Sequence, residues 1–441
     1  MRSGHSAPPA WHPLAWADAL TQFGQTEMAG GLVLVGALLA ALVWANADPH
    51  SYFSAWAHTV TSHTEPVPPA LHTVANEIDN GLMTIFFLAI GLEIGREVAD
   101  GSLRDARNAL LPAVAALGGM AGAALVYLIT VAVLHPVGGV ARGWGIPMAT
   151  DVAFTLGAIA LLGARVPRPL RTFVLALAIA DDVASVVVLA VVASTRLQLW
   201  WLVGGVIALG AVALLRRTVR QAWWPYVVAA IVVWYLFVRG GIEPSLAGAF
   251  VGLLVPVAGG ARAGRRLEGP VHALSSYVVL PLFVLANGGV LLTGALWHHS
   301  AATSVVTATF TARTVGKMLG ITLAVLVMVR LGVCNLPERT SWRQMIGIAL
   351  LCGMGLTVPL LFAHAVFGHS TLFAGAQVGL LLGTLGAALL GATVLFSAGR
   401  TGGRTAGRGL RTPAESLARA TVPAAPGALL TPPEDHDVKE G

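Results

Sequence analysis

Residues 172–194 read T-F-V-L-A-L-A-I-A-D-D-V-A-S-V-V-V-L-A-V-V-A-S, with Asp181 and Asp182 side by side near the middle. As a helix the stretch is long enough to cross a bilayer. A charge at that depth is costly, by a few kcal/mol even on insertion scales. Adjacent carboxylates also repel each other, which favours a proton or a cation on at least one of them. Successive helical residues point about 100° apart. The two carboxylates therefore face different neighbours, one able to meet a basic partner and the other a cavity. That is the physical outline of an ion site.

The rest of the chain supplies a membrane setting for it. Of its 441 residues 56% are hydrophobic and only 11% charged, with a mean hydropathy of +0.76. Soluble domains carry about 25% charged residues, so the fold class is an all-α polytopic membrane protein. The net charge of +6 does not point to nucleic acid, because the arginines fall in small clusters between apolar segments. Cys334 and Cys352 are the only cysteines, too few for a disulfide framework or a cysteine metal site. No cofactor is expected. The N-terminus lacks the pattern of a cleaved signal peptide. Residues 1–27 read as a cytoplasmic entry segment, with Trp11, Trp16 and Phe23 suited to an interface.

Apolar segments fall at 28–46, 80–98, 109–134, 145–163, 172–194, 199–215, 224–238, 243–258, 271–293, 303–329, 344–366 and 371–397, about 12 transmembrane helices. Arginines gather in alternate connections, at Arg104 and Arg107, Arg165 to Arg171, Arg216 to Arg220, Arg262 to Arg266, and Arg330 to Arg343. The opposite side offers only Arg142, Arg196 and Arg239. The positive-inside rule then places both termini in the cytoplasm. A membrane domain at 28–397 is expected to be followed by a disordered cytoplasmic tail at 398–441, rich in Gly, Ala, Pro and Arg.

Lys317 is the second pillar. The 27 basic residues include just two lysines, Lys317 and Lys439, and the deep one is the type that can release a proton. A snorkelling lysine would have to span roughly 20 Å to either end of its helix, beyond its reach, so a pairing with Asp181 or Asp182 is expected. Arg313, one turn earlier, is read as facing an outer cavity and is given no role. In the fourth segment Gly145 and Pro147 weaken the helix just before Thr150 and Asp151. The freed carbonyls and side-chain oxygens suit a hard monovalent cation. Alternatively Asp151 only caps a half-helix starting at Val152, with Thr150 bonding back to its own helix. Gly353, Gly355 and Pro359 interrupt the eleventh segment in the same way. Two broken helices in corresponding halves point to an inverted-topology repeat in which segments 4 and 11 cross; the bland alternative is glycine used for close packing. Glu93, Arg96 and Glu97 close the second segment, and Glu268 and His272 open the ninth after a basic loop. That cluster is either a pH-responsive mouth or ordinary interfacial charge.

These residues together resemble the NhaA-type sodium/proton antiporters. The likeness runs from about Met28 to Phe396 and rests on G-L-E-I-G-R-E, A-T-D-V-A-F-T-L-G, L-A-L-A-I-A-D-D, L-P-L-F-V-L-A-N-G-G, G-K-M-L-G-I and L-C-G-M-G-L-T, in that order. The resemblance implies a secondary active antiporter, not an enzyme, in the bacterial cytoplasmic membrane. It would exchange intracellular Na+, and Li+, for external H+ electrogenically, as a homodimer serving sodium and pH homeostasis. It implies that Asp181 and Asp182 bind the ion and proton, with Asp182 the direct sodium ligand and Lys317 the partner of Asp181. Thr150 and Asp151 would stand at the crossing, where Asp151 compensates helix ends. Glu93, Glu268 and His272 would belong to the pH response, and Glu97 beside them is a further candidate from the charged cluster. Glu243 stands where better-known members have a histidine, and Gly269 and Pro270 follow Glu268, so the pH profile is expected to differ. A passive cation channel would have little use for Lys317. An intramembrane aspartyl protease would show Gly-x-Gly-Asp, whereas Ala178-Ile179-Ala180 precedes Asp181.

Overall fold

The aspartate-bearing stretch forms one unbroken helix, Arg168–Val192, and it is the most buried of the long apolar helices. The computed structural model describes residues 13–57, 78–100, 106–136, 138–192, 197–257, 261–291, 300–338, 340–368 and 370–405, and no strand occurs among them. In chain order the helices begin with α1 (Pro13–Ala47), α2 (Pro49–Ala57), α3 (Met83–Asp100), α4 (Ala106–Leu134) and α5 (Val152–Leu162). Next come α6 (Arg168–Val192), α7 (Leu199–Thr218), α8 (Trp224–Gly240), α9 (Leu246–Leu254), α10 (Ala263–Leu274) and α11 (Leu280–Asn287). The series closes with α12 (Ser300–Thr311), α13 (Lys317–Arg330), α14 (Trp342–Leu351), α15 (Thr357–Phe367) and α16 (Thr371–Thr405). Contacts divide the chain after Ala398, and of the second unit only the end of α16 is described. Trp11, Arg104, Arg196, most of the 47–79 connection and the tail beyond Thr405 lie outside the described residues.

Among the described residues seven helices are long and apolar enough to cross a membrane. They correspond to the expected segments at 28–46, 109–134, 172–194, 199–215, 271–293, 303–329 and 371–397. The other five segments take different forms. Segment 80–98 is the charged helix α3, 224–238 and 243–258 are the shorter α8 and α9, and 145–163 and 344–366 are interrupted. The ninth segment starts earlier than expected. Arg265, Arg266 and Glu268 lie within α10 rather than in a loop before it, since long charged side chains are good helix formers. Pro281, which lacks an N–H, follows a π-helical turn at Ser275–Val279 that joins α10 to α11.

Two helix pairs pack backbone to backbone through small residues. A Cβ on Gly252 of α9 would lie 2.6 Å from the Leu88 carbonyl oxygen of α3, and one on Gly248 would strike the Thr84 carbonyl. Across α4 and α13, a Cβ on Gly122 would come within 2.7 Å of the Gly320 Cα, and one on Gly316 within 2.8 Å of the Gly122 oxygen. Gly248→Ala is therefore expected to cost about 1–3 kcal/mol by overpacking, read as a lower melting temperature in detergent. A wild-type melt would contradict the close pairing.

Both interrupted helices finish on a glycine at positive φ, Gly163 after α5 at 57° and Gly368 after α15 at 54°. Only glycine takes this backbone cheaply. The matching stops leave two short half-helices, each starting at a break in the middle of the molecule.

Candidate functional site

Each break exposes one carbonyl end and one N–H end, because the terminal turns of a helix have no internal partners. Carbonyl ends carry partial negative charge and N–H ends partial positive charge. The first break follows the tight turn Val140–Gly145, where Pro147 cannot donate a hydrogen bond, and it runs to Asp151. The second runs from Cys352 to Leu356. The two extended stretches tie to each other directly: the Asp151 N–H donates to the Met354 oxygen at 3.2 Å, and the Thr150 hydroxyl to the Cys352 oxygen at 2.8 Å.

Charged side chains then sort by end. The Asp151 carboxylate accepts the N–H of Thr357 at 2.8 Å, and also bonds the N–H of Leu356 and the Thr357 hydroxyl. Asp151 does precede a half-helix that starts at Val152, as the capping alternative expects. Its side chain, however, makes no bond to that helix and caps α15 instead. Thr150 likewise bonds across the break, not back along its own helix. In both cases the orphan groups of the facing chain are nearer partners than those of the residue's own helix.

At the carbonyl ends stand two cations. The fully buried Lys317 ammonium donates to the Met148 oxygen and lies 2.9 Å from Asp181 Oδ2. The same carboxylate oxygen accepts the Thr150 N–H at 2.8 Å. Asp181 is thus the aspartate that Lys317 meets. Its Oδ1 has no hydrogen-bond partner. Asp182 is also buried, at 9% exposure, and no basic residue bonds to it among the described residues. The two carboxylates differ in the way the helical turn between them dictates.

Arg313 corrects the sequence reading. It does not face an outer cavity: it is fully buried, with Nε donating to the Gly353 oxygen at 2.9 Å and Nη1 to the Ala149 oxygen at 3.4 Å. The available signal was its spacing, four residues before Lys317 and so on the same helical face.

The remaining candidates form a second group. Arg96 Nη1 lies 3.0 Å from Glu268 Oε1, a partly exposed pair. Glu93 has Arg96, Glu268 and Glu97 as charged neighbours, and His272 has Glu268 and Arg96. Glu93 is also a charged neighbour of Asp182, which links this cluster to the buried pair. Glu243 is not brought to it. It accepts from the Ser245 hydroxyl at 3.2 Å ahead of α9. Gly248 and Gly252 of α9 meet Thr84 and Leu88 of α3 in register, so Glu243 is level with the start of α3. At 1.5 Å per residue it lies roughly 20 Å along the helix from Glu93.

No group of three or more His, Cys, Asp or Glu among the described residues is placed to hold a metal ion. The oxygens available to a cation are those of Asp181 and Asp182 and the freed carbonyls and hydroxyls of the breaks, the kind of set that unwound helices offer a monovalent ion.

Known proteins carry the same arrangement of sequence. The profile of the Na+/H+ antiporter 1 family matches residues 21–395. The Na(+)/H(+) antiporter NhaA 2 of Novosphingobium aromaticivorans is 40% identical over 388 residues, covering 86% of this chain and 96% of the relative. The Na(+)/H(+) antiporter NhaA of an Acidovorax species is 40% identical over 87% of this chain and 93% of its own length. The Na(+)/H(+) antiporter NhaA of Mesorhizobium japonicum is 36% identical over 86% and 95%.

Proposed function

Because the chain belongs to the Na+/H+ antiporter 1 family, we propose that it exchanges intracellular Na+, and also Li+, for external H+ across the bacterial cytoplasmic membrane. It is an antiporter of sodium and protons with both termini in the cytoplasm, working electrogenically and as a homodimer in sodium and pH homeostasis. One observation carries the reading. Two adjacent buried carboxylates are unequal, since Asp181 is held by Lys317 and the Thr150 N–H while Asp182 forms no ion pair among the described residues. A buried carboxylate without compensation costs several kcal/mol, so Asp182 takes up a proton or a metal cation, and the two compete for it.

Sodium from the cytoplasm enters past Glu93, Glu97, Glu268 and His272 and is bound by Asp182, with Asp181 as second ligand and oxygens of the breaks completing the shell. Binding sodium releases protons from the pair to the cytoplasm. The loaded site then opens outward, sodium leaves, and protons from outside reload the carboxylates. Segments three to five and ten to twelve act as inverted halves, and the crossing of their broken members, segments 4 and 11, is the pivot. Thr150 and Asp151 keep the facing helix ends neutralised throughout.

The test is dissipation of a pH gradient in inverted membrane vesicles. Sodium or lithium should drive protons out of the lumen and potassium should not. No response to any of the three cations between pH 6.5 and 9 would overturn the exchange reading.

A further inference from the structure

We propose that Arg313 is a positioning residue of this exchange site, a permanent second cation that clamps the carbonyl ends of both broken helices and leaves the Lys317 ammonium to Asp181. The inference rests on the exchange reading above for its kinetic consequence, though not for its structural one.

Arg313 heads the largest fully buried side chains among the described residues. Taking a guanidinium out of water costs several kcal/mol unless its surroundings repay it. No carboxylate bonds to Arg313 among the described residues; its partners are carbonyl oxygens, Ala149 on one broken chain and Gly353 on the other. A helix C-terminus carries roughly half a negative charge. Here the C-terminus of α14 faces the carbonyls left free after the turn Val140–Gly145, and one full positive charge between them offsets their partial negative charge. The Lys317 ammonium pairs with Asp181 Oδ2 and reaches a carbonyl of only one broken chain, that of Met148, so Arg313 is the cation that bridges both.

The chain also makes room for it. A Cβ on Gly355 would stand 2.6 Å from Arg313 Nη2, and a Cβ on Gly383 of α16 would stand 3.1 Å from its Cδ. A Cβ on Gly353 would meet the Arg313 carbonyl oxygen at 2.5 Å. Three glycines on two other elements thus fit around one arginine. Arg313 lies in the π-helical turn Ala312–Gly316, directly ahead of Lys317, and such turns recur at functional sites. Thr384, beside Gly383, closes the same corner: its hydroxyl donates to the Gly355 oxygen at 2.8 Å. Nη2 has no hydrogen-bond partner, which leaves its two N–H donors for a rearranged crossing.

The experiment compares R313Q, R313K and the double variant D181N/K317Q with the wild-type full-length protein, in inverted vesicles and as purified protein melted in detergent. R313Q removes the charge and should lower the maximal exchange rate about tenfold, with the sodium half-saturation within about twofold of wild type, the pattern of a group that acts on the working step and not on ion capture. R313K restores a cation and should bring the rate back to within about threefold of wild type. The double variant D181N/K317Q, which removes the buried ion pair whole and leaves no unpaired charge, should still fold and melt within about 3 °C of wild type, because Arg313 keeps the carbonyl ends covered. R313Q exchanging at the wild-type rate would overturn the proposal. So would R313K as slow as R313Q, since packing alone would then explain both. If R313Q fails to accumulate, D181N/K317Q decides: a protein that unfolds once the whole ion pair is replaced by neutral side chains places the clamp on lysine and overturns the proposal. Wild-type vesicles silent to sodium would remove the exchange reading alone, while the melting comparison would still test the clamp.

Discussion

Asp182→Asn is expected to abolish sodium-driven proton movement, at least a hundredfold below wild type, while the protein still reaches the membrane and melts normally. A hundredfold corresponds to about 2.7 kcal/mol of lost stabilisation of the working step. The fold should survive because Asp182, unlike Asp181, is not tied to another element: no ion pair fixes it among the described residues, and asparagine fills the same space. Transport should not survive, because an amide neither exchanges a proton in the working range nor compensates a sodium ion. The vesicle assay checks the loss and a melt checks the fold. Exchange at the wild-type rate would sink the model, and a collapsed melt would make Asp182 structural.

Asp151→Ala should have the opposite signature, with stability lost first. The carboxylate is the common acceptor for the Leu356 N–H, the Thr357 N–H and the Thr357 hydroxyl, all buried at the start of α15. Removing it orphans these donors, and a buried donor without a partner costs about 1–3 kcal/mol. It also strips the anion from two facing helix N-termini, Val152 and Thr357, where a charge contributes up to ~2 kcal/mol when partly buried. A loss of about 3–5 kcal/mol is expected, the range seen when one partner of a buried charged set is removed. Thermal unfolding in detergent measures it. A melting temperature within about 2 °C of wild type would show that the two chains hold together without this carboxylate.

Much of this architecture is legible in the sequence because it follows from local chemistry. Pro147 and Gly145, and Gly353 with Gly355, mark the breaks by what they do to their own backbone. The Lys317–Asp181 pair follows from desolvation, since a lone deep ammonium needs a carboxylate and few lie in other apolar segments. What depends on partners far along the chain is not legible. The Asp151 carboxylate reaches a residue 205 positions away, and the capping rule, which sees only its own helix, assigns it to the wrong one. Arg313 is the sharper case. Periodicity places it on the face of Lys317, but whether that face meets lipid, water or two stacked carbonyl ends is decided by α14 and α16. The charged run Arg262–Arg266 resembles a loop by hydropathy, yet long charged side chains are good helix formers, and α10 starts at Ala263 and carries Arg265 and Arg266. Glu243 misleads for the same reason: sequence likeness marks the position, and only the register of α9 on α3 shows that it stands apart from the Glu93 group.

The central claim is that sodium and protons compete for the same two carboxylates. The most direct measurement is proton release by the purified protein in weakly buffered detergent, followed with a pH dye while sodium chloride is added and choline chloride serves as control. The account predicts a saturable acidification with sodium, none with choline, and none with sodium in D182N. Sodium binding seen by calorimetry in the wild-type protein with no proton released would contradict it.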